Sequence, residues 1–296
     1  MNEAPDSRPA APKAPILLAT DLSARSDRAL DRAADLAREW GTGLVALNVL
    51  DPTASPDRLR AWADSKEDGE AYATRIAQRQ LARDLRGAAV DSRIVISSAP
   101  DPVGAIADTA EQLDARIVVT GVARSEPLGR FLLGSTVEKL ARRITRPLLV
   151  VRERPQRPYS RIVLATDFSP ESAFALTTLV RLFPGREVIV YHAANVPLGI
   201  DASNADLSHL REAPMRRDAD ALVASSNLPP GTSTRVVIEH GSVEATLSRY
   251  VRDEDCDLVV IGTRTAPLLE RLLAGGSASE LLRWVPCDML VVRQPE

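Results

Sequence analysis

Short apolar runs alternate with amphipathic stretches along the whole chain. Residues 16–20 form an apolar run without polar alternation, the pattern of a strand covered on both faces. Behind it, Leu30, Ala33, Ala34, Ala37 and Trp40 fall on one helical stripe. Ser23 or Ser26 could cap that helix, and Gly41 stands where a left-handed residue would end it. Leu44–Leu50 reads as a second strand, 57–86 as a polar helical stretch and 94–96 as a third strand. A helix over 103–113, a strand over 117–120, a helix over 136–143 and a strand at Leu148–Val151 complete the series. Strand alternating with helix predicts βαβ units, parallel strands and right-handed crossovers.

The series then repeats. Ile16-Leu-Leu-Ala-Thr-Asp-Leu-Ser23 recurs as Ile162-Val-Leu-Ala-Thr-Asp-Phe-Ser169, an offset of 146 residues. Further on, Ile117-Val-Val-Thr-Gly121 recurs as Leu258-Val-Val-Ile-Gly262, and Leu148-Leu-Val-Val-Arg152 as Met289-Leu-Val-Val-Arg293, both at an offset of 141. The second copy opens with Pro170 directly after Ser169, a favoured early helix position, and Pro184-Gly185 should end that helix. The expected organisation is a disordered tail over 1–13, a first domain over 14–152, a linker over 153–158 and a second domain over 159–296. The segment 152–158, with two prolines and strong polarity, reads as an extended, semi-rigid connection.

Composition narrows the function. The hydrophobic fraction of 45% and charged fraction of 26% are those of a globular chain, and no apolar run approaches the roughly 18 residues of a membrane helix. With 37 basic against 40 acidic residues and 4% aromatics, there is neither an electrostatic footprint nor a stacking surface for nucleic acid. Lysine stands only at positions 13, 66 and 139; the other basic residues are arginine. Cys256 and Cys287 cannot make a disulfide framework, and the polar N-terminus lacks the apolar core of a signal peptide, so a cytoplasmic location is expected.

Candidate chemistry gathers at strand carboxyl ends, where open parallel sheets bind ligands. Asp21 follows the first strand and Asp167 its counterpart. Asn48-Val49 and His192-Ala193 end the second strands. After the fourth strand, Gly121-Val-Ala-Arg124 and nine further residues lead to Gly134-Ser135-Thr136 at the start of a helix. Glycines admit a phosphate close to the backbone, and helix N-termini favour anions. Asp21 suits an adenine amino group or a ribose hydroxyl, or it could merely cap the following helix. His192 could line a pocket or be packed, His209 reads as solvated, and His240 has no partner in sequence. The scattered histidines give no metal spacing, and the cysteines read as buried thiols. Gly-x-Ser-x-Gly, Walker and Gly-x-Gly-x-x-Gly motifs are absent, and no general base can be assembled into a catalytic site; at most a slow ATPase is expected.

The duplicated Ala-Thr-Asp-x-Ser opening, the strand ending in glycine, the glycine loop leading to Gly-Ser and the closing Leu-Val-Val strand together resemble a tandem universal stress protein. That resemblance implies two open five-stranded parallel sheets flanked by helices, of the adenine-nucleotide alpha-hydrolase-like type, paired through their last strands as an intrachain pseudo-dimer. It also implies ATP, with or without Mg2+, as cofactor. The nucleotide-binding positions it places in this chain are Thr20, Asp21, Val49, Gly121, Arg124, Gly134, Ser135 and Thr136. Their weaker counterparts are Asp167, Ala193, Gly262, Arg264, Gly275, Gly276 and Ser277. Both copies depart from the pattern: Arg124 and Thr265 replace the second loop glycine, and Gly276 replaces the hydroxyl residue in copy two. The first copy is therefore favoured for nucleotide. The alternative is an interaction scaffold that binds none, with unknown protein partners. Homodimerisation of whole chains stays open, and neither nucleic acid nor membrane is an expected partner.

Overall fold

The computed structural model describes residues 13–24, 26–52, 69–122, 124–125, 131–132, 135–194, 205–263 and 285–295. The first half runs β1 (Ile16–Ala19), α1 (Asp27–Trp40), β2 (Leu44–Leu50), α2 (Gly69–Asp84), β3 (Ser92–Ser98), α3 (Pro102–Gln112) and β4 (Ile117–Gly121). A small hairpin, β5 (Arg124–Ser125) and β6 (Phe131–Leu132), precedes α4 (Ser135–Arg143) and β7 (Leu148–Val151). The second half repeats the order with β8 (Arg161–Ala165), α5 (Pro170–Leu182), β9 (Glu187–Ala194), α6 (Ala205–Ser225), β10 (Ser233–His240), α7 (Val243–Asp253), β11 (Leu258–Thr263) and β12 (Asp288–Arg293).

All ten long strands join one sheet, ordered β10-β9-β8-β11-β12-β7-β4-β1-β2-β3. Within each half the pairs are parallel; at the centre β12 runs antiparallel to β7, with Met289 opposite Val150, Leu290 opposite Leu149 and Val291 opposite Leu148. The order is a palindrome of the two copies, so a pseudo-two-fold axis passes between β7 and β12. These strands are buried apart from the half-buried Arg293 that ends β12. The outer strands β3 and β10 carry exposed residues at both ends, as suits edges that must not recruit another chain. One core layer lies under α1 and α5 and crosses the axis, where Trp40 meets Phe183 edge-on at 5.6 Å. The other face packs α3, α4 and α7.

Several expectations need correction. The third strand is longer than 94–96, because the parallel register with β2 carries pairing out to Ser92 and Ser98. Neither Ser23 nor Ser26 caps α1 through its side chain; Ser26 stands at the N-cap, but its hydroxyl is spent on Asp21. Gly41 does end the helix in the left-handed region, at φ 59°. The connection between the halves starts from a buried residue. Arg152 is fully buried, its amide donates to Asp288 Oδ1 at 2.7 Å and its guanidinium to Val285 O at 2.7 Å. Residues 154–158 are more exposed, but Arg157 is pinned by Asp255 at 2.6 Å and Asp257 at 2.9 Å.

The halves also differ where α1 and α5 begin. The repeat counterpart of Asp27, which opens α1, is Ala173, yet α5 starts at Pro170. Ser169 caps it, accepting from the Ser172 amide, and Pro170 fits the first turn. This extra turn lies on β11: a methyl group at Gly262 would overlap the Glu171 carbonyl and come within 2.9 Å of the Ser172 nitrogen.

Two outcomes are expected. Gly262→Ala should lower stability by about 1–3 kcal/mol in denaturant unfolding, the cost of forcing atoms into a packed site; an unchanged midpoint would show that α5 yields freely. A protease site inserted at Gln156, cut under native conditions, should leave two fragments that elute together in gel filtration. Fragments that separate would contradict a junction held by β7 and β12.

Candidate functional site

Each half turns sharply after its first strand. Thr20 Oγ1 accepts the Leu22 amide at 3.1 Å, and Asp21 Oδ1 accepts the Ser23 amide at 3.0 Å. The same Asp21 oxygen takes the Ser23 hydroxyl at 2.6 Å and the Ser26 hydroxyl at 2.7 Å. The second half repeats this turn. Thr166 Oγ1 accepts from Phe168 N at 2.8 Å, and Asp167 Oδ1 accepts from Ser169 N at 3.1 Å and Ser172 Oγ at 2.9 Å. Leu22 and Phe168 sit at φ 61° and 63°, a region that side-chain-bearing residues enter only when the surroundings enforce it. The enforcement extends to the second strand: Asn48 Nδ2 donates to Thr20 O at 2.9 Å, and His192 Nδ1 stands 2.8 Å from Thr166 O.

Partial burial opposes ionisation of Asp21. The hydroxyls of Ser23 and Ser26 and the Ser23 amide outweigh it, so the carboxyl is held below its ordinary range. Burial likewise opposes Asp167, which Ser169 and Ser172 pull down. Asp21 does not cap α1: its carboxylate bonds Ser23 and Ser26, ahead of the first helical amide, and orders the turn, and it also lines a cleft.

That cleft, of about 240 Å³, opens at the carboxyl ends of β1, β2 and β4. It straddles β1 and β4, where the strand order reverses, the place at which open α/β sheets bind ligands. Thr20, Asp21, Val49, Gly121 and Thr136 line it, as the sequence suggested. Ala19, Pro102, Ile106, Thr120, Val122 and Val137 line it as well and carried no signal in the sequence beyond the Asp101-Pro102 start of α3, and Ser26, expected only as a helix cap, lines it too. That start was the available signal, since a helix opening at a strand end must face the same rim. Ala19, Val49, Ile106 and Val137 form an apolar wall, while the first turn of α4 presents its N-terminus; at α3, Pro102 has no amide and the Asp101 carboxylate accepts from the Gly104 and Val103 amides. The α4 terminus carries unpaired amides and partial positive charge.

Arg124 opens β5, where its backbone pairs with Leu132, so part of the glycine connection is a hairpin. Ser135 is the first residue of α4. The side chains of Arg124 and Ser135, and all of Gly134, lie outside the described residues, as do Arg264, Gly275, Gly276 and Ser277.

The second half differs where its own cleft would open. Tyr191 takes the register position of Leu47, opposite Ala165 instead of Ala19. Its hydroxyl meets Glu239 Oε2 at 3.1 Å, and Arg249 donates to the same oxygen at 2.8 Å. Glu239 lies opposite Ala193 as Ser97 lies opposite Val49. Burial pushes the Tyr191 hydroxyl well above its ordinary range. Gly262 is committed to its contact with α5.

The remaining candidates are structural. His192 stacks on Phe168 at 4.4 Å and holds Thr166 O. His240 lies 3.5 Å from Glu212 Oε1. His209 falls on α6 with its side chain outside the described residues. Cys256 and Cys287 are buried free thiols, and burial pushes Cys256 up to about 11 and Cys287 higher than usual too. Among the described residues no group of three or more His, Cys, Asp or Glu could hold a metal, and no helix is long and apolar enough to cross a membrane.

The universal stress protein family pattern matches residues 14–152 and again 158–293. The chain belongs to the universal stress protein family. A universal stress protein from Archaeoglobus fulgidus superposes with a TM-score of 0.69 at 17% identity, covering 96% of this chain and 100% of that one. A Pseudomonas aeruginosa protein of unknown function gives 0.61 at 18% identity, covering 95% and 92%. At these identities the likeness shows the fold. A Staphylococcus epidermidis protein that carries the universal stress protein name is 37% identical over 60 residues, which is 20% of this chain and 36% of that relative.

The turn predicts a pH signature. A carboxyl held low in the native state contributes stability above its unfolded value near 3.8, and this is lost as pH falls through the native value. Ser26→Ala should therefore cost roughly 1 kcal/mol at pH 7. The difference from the parent chain should shrink as pH drops below about 4, read by urea unfolding across pH. A difference constant from pH 7 to the acid limb would refute the carboxylate's part.

Proposed function

We propose that the first half binds ATP or a related adenine nucleotide and that the protein works in the cytoplasm as a nucleotide-responsive stress protein. One observation carries this reading: a cleft at the sheet's switch point that combines an apolar wall with the N-terminus of α4. The groups fit such a ligand. Ala19, Val49, Ile106 and Val137 offer a flat base its apolar contact, and Thr20 and Asp21 offer polar partners beside it. Gly121, Thr136 and the α4 N-terminus face the anionic end, joined in this reading by Arg124, Gly134 and Ser135. Mg2+ would be carried by the phosphates. The nucleotide would bias conformation or partner choice, with at most slow hydrolysis.

A scaffold that binds no nucleotide is the second reading, favoured by Arg124 and Thr265 in the two loops. In the second half, the Tyr191–Glu239–Arg249 cluster and the crowding at Gly262 favour that reading locally, so Asp167, Ala193, Arg264, Gly275, Gly276 and Ser277 are the weaker site.

Titration calorimetry with ATP should give one site per chain. At a hundredfold excess over its dissociation constant, ATP should raise stability by about 2.7 kcal/mol. Gly134→Asp, which sets a charge against the phosphates, should weaken binding at least tenfold. No heat at high micromolar ATP, with no co-purified nucleotide by mass spectrometry, would leave the scaffold.

A further inference from the structure

The pseudo-two-fold axis creates two equivalent junctions between the halves, and they are filled differently. At one, the segment joining β7 to β8 lies along α1. Arg28 Nη1 donates to Arg152 O at 2.7 Å, Arg32 Nη1 donates to Arg157 O at 3.0 Å, and the buried Tyr159 reaches Asp288 Oδ2 at 2.5 Å. The symmetric place at the other junction is a groove of about 510 Å³ between α5, the end of β12 and the turn before β7. Its residues occupy the matching repeat positions. Phe174 and Thr178 stand on α5 where Arg28 and Arg32 stand on α1, at the offset of 146. Arg146 and Pro147 answer to Cys287 and Asp288, and Arg293 to Arg152, at the offset of 141. Arg293 even repeats the anchoring bond, donating to Arg142 O at 2.9 Å as Arg152 donates to Val285 O.

The chain carries a segment that matches the filled junction. Before β8 it reads Arg154-Pro-Gln-Arg-Pro158; 146 residues earlier, before β1, it reads Arg8-Pro-Ala-Ala-Pro12. The approach to the two strands is also alike: Pro15 O accepts the Arg116 amide at 2.9 Å, and Arg161 O accepts the Asp257 amide at 3.0 Å. Arg116 in turn donates to Arg181 O at 3.1 Å. Residues 13–15 therefore stand at the foot of α5, the helix whose next turns carry Thr178 and Phe174.

We propose that residues 8–12 of this chain seat in that groove as an extended strap from the first half onto α5 of the second. Five residues of proline-rich chain span about 15 Å, and the distance along α5 from Arg181 to Phe174 is roughly 10 Å at 1.5 Å per residue. Thr178 offers the Ala11 carbonyl the donor that Arg32 gives Arg157, and Phe174 offers Pro9 and Pro12 an apolar face. Lys13 occupies the position of Tyr159 but turns away to Trp40 O at 2.9 Å.

The test uses the full chain bearing Ala11→Cys and Thr178→Cys, oxidised under native conditions and analysed by mass spectrometry and denaturing electrophoresis. An intrachain disulfide between the two introduced thiols is expected, with none in a control bearing Ala11→Cys and Asp220→Cys. A disulfide between chains would assign the groove to a second copy and overturn the proposal, and so would linkage no greater than in the control. Removal of residues 1–12 should speed amide exchange over 174–181 severalfold without altering that of α1. Unchanged exchange there would also overturn it.

Discussion

Antiparallel pairing of β7 with β12 is the contact on which the rest of the molecule depends. Each half alone would end in a strand with a buried apolar centre and one edge of unpaired amides and carbonyls. Joined, the two strands become the centre of a ten-stranded sheet whose edges, among the described residues, are the more polar β3 and β10. The join is keyed by buried charge. Asp288, at the start of β12, accepts from the amides of Arg152 and Glu153 and from Tyr159, with Arg32 Nε at 3.4 Å. Arg32 also stacks over the Tyr159 ring at 4.0 Å. Burial brings Arg152 down to about 10, still charged at neutral pH. Such a cluster adds little net stability, because removing its ions from water costs several kcal/mol each. What it penalises is misregister, which would leave one of those charges buried alone.

The same economy of position explains the turn after each first strand. Thr-Asp-x-Ser reads as a ligand signature, and in both halves it is first a structural device. Threonine and aspartate each accept an amide two residues on, which holds Leu22 and Phe168 in the left-handed region. Asn48 and His192, unlike in chemistry, do the same work by holding the carbonyl of Thr20 and Thr166. The turn swings the first helix aside and leaves the strand's carboxyl end facing the rim of the sheet.

Duplication left two copies of this rim and packing has since separated them. In the first half, Leu47, Val49 and Ser97 leave the cleft beside Asp21 open. In the second, Tyr191, Glu239 and Arg249 tie one another together at the equivalent place, and α5 begins early enough to press on Gly262. A glycine shared by both copies thus has a packing reason in one of them, whatever it does in the other.

The sequence by itself determined the repeat, the order of strands and helices, and the family. These rest on local periodicity and on an opening motif whose hydrogen bonds close within five residues. It also pointed to Asp21, Val49, Gly121 and Thr136, because each sits at a strand or helix end that the βαβ pattern locates, and to Thr20 through the family resemblance. Tertiary structure alone decided that Ile106 and Pro102 face the same cleft as Asp21, that Arg152 is buried, and that Tyr191 and Glu239 meet. Those contacts join elements tens of residues apart, and their geometry is set by how helices lie on a twisted sheet, which no local pattern of residues encodes.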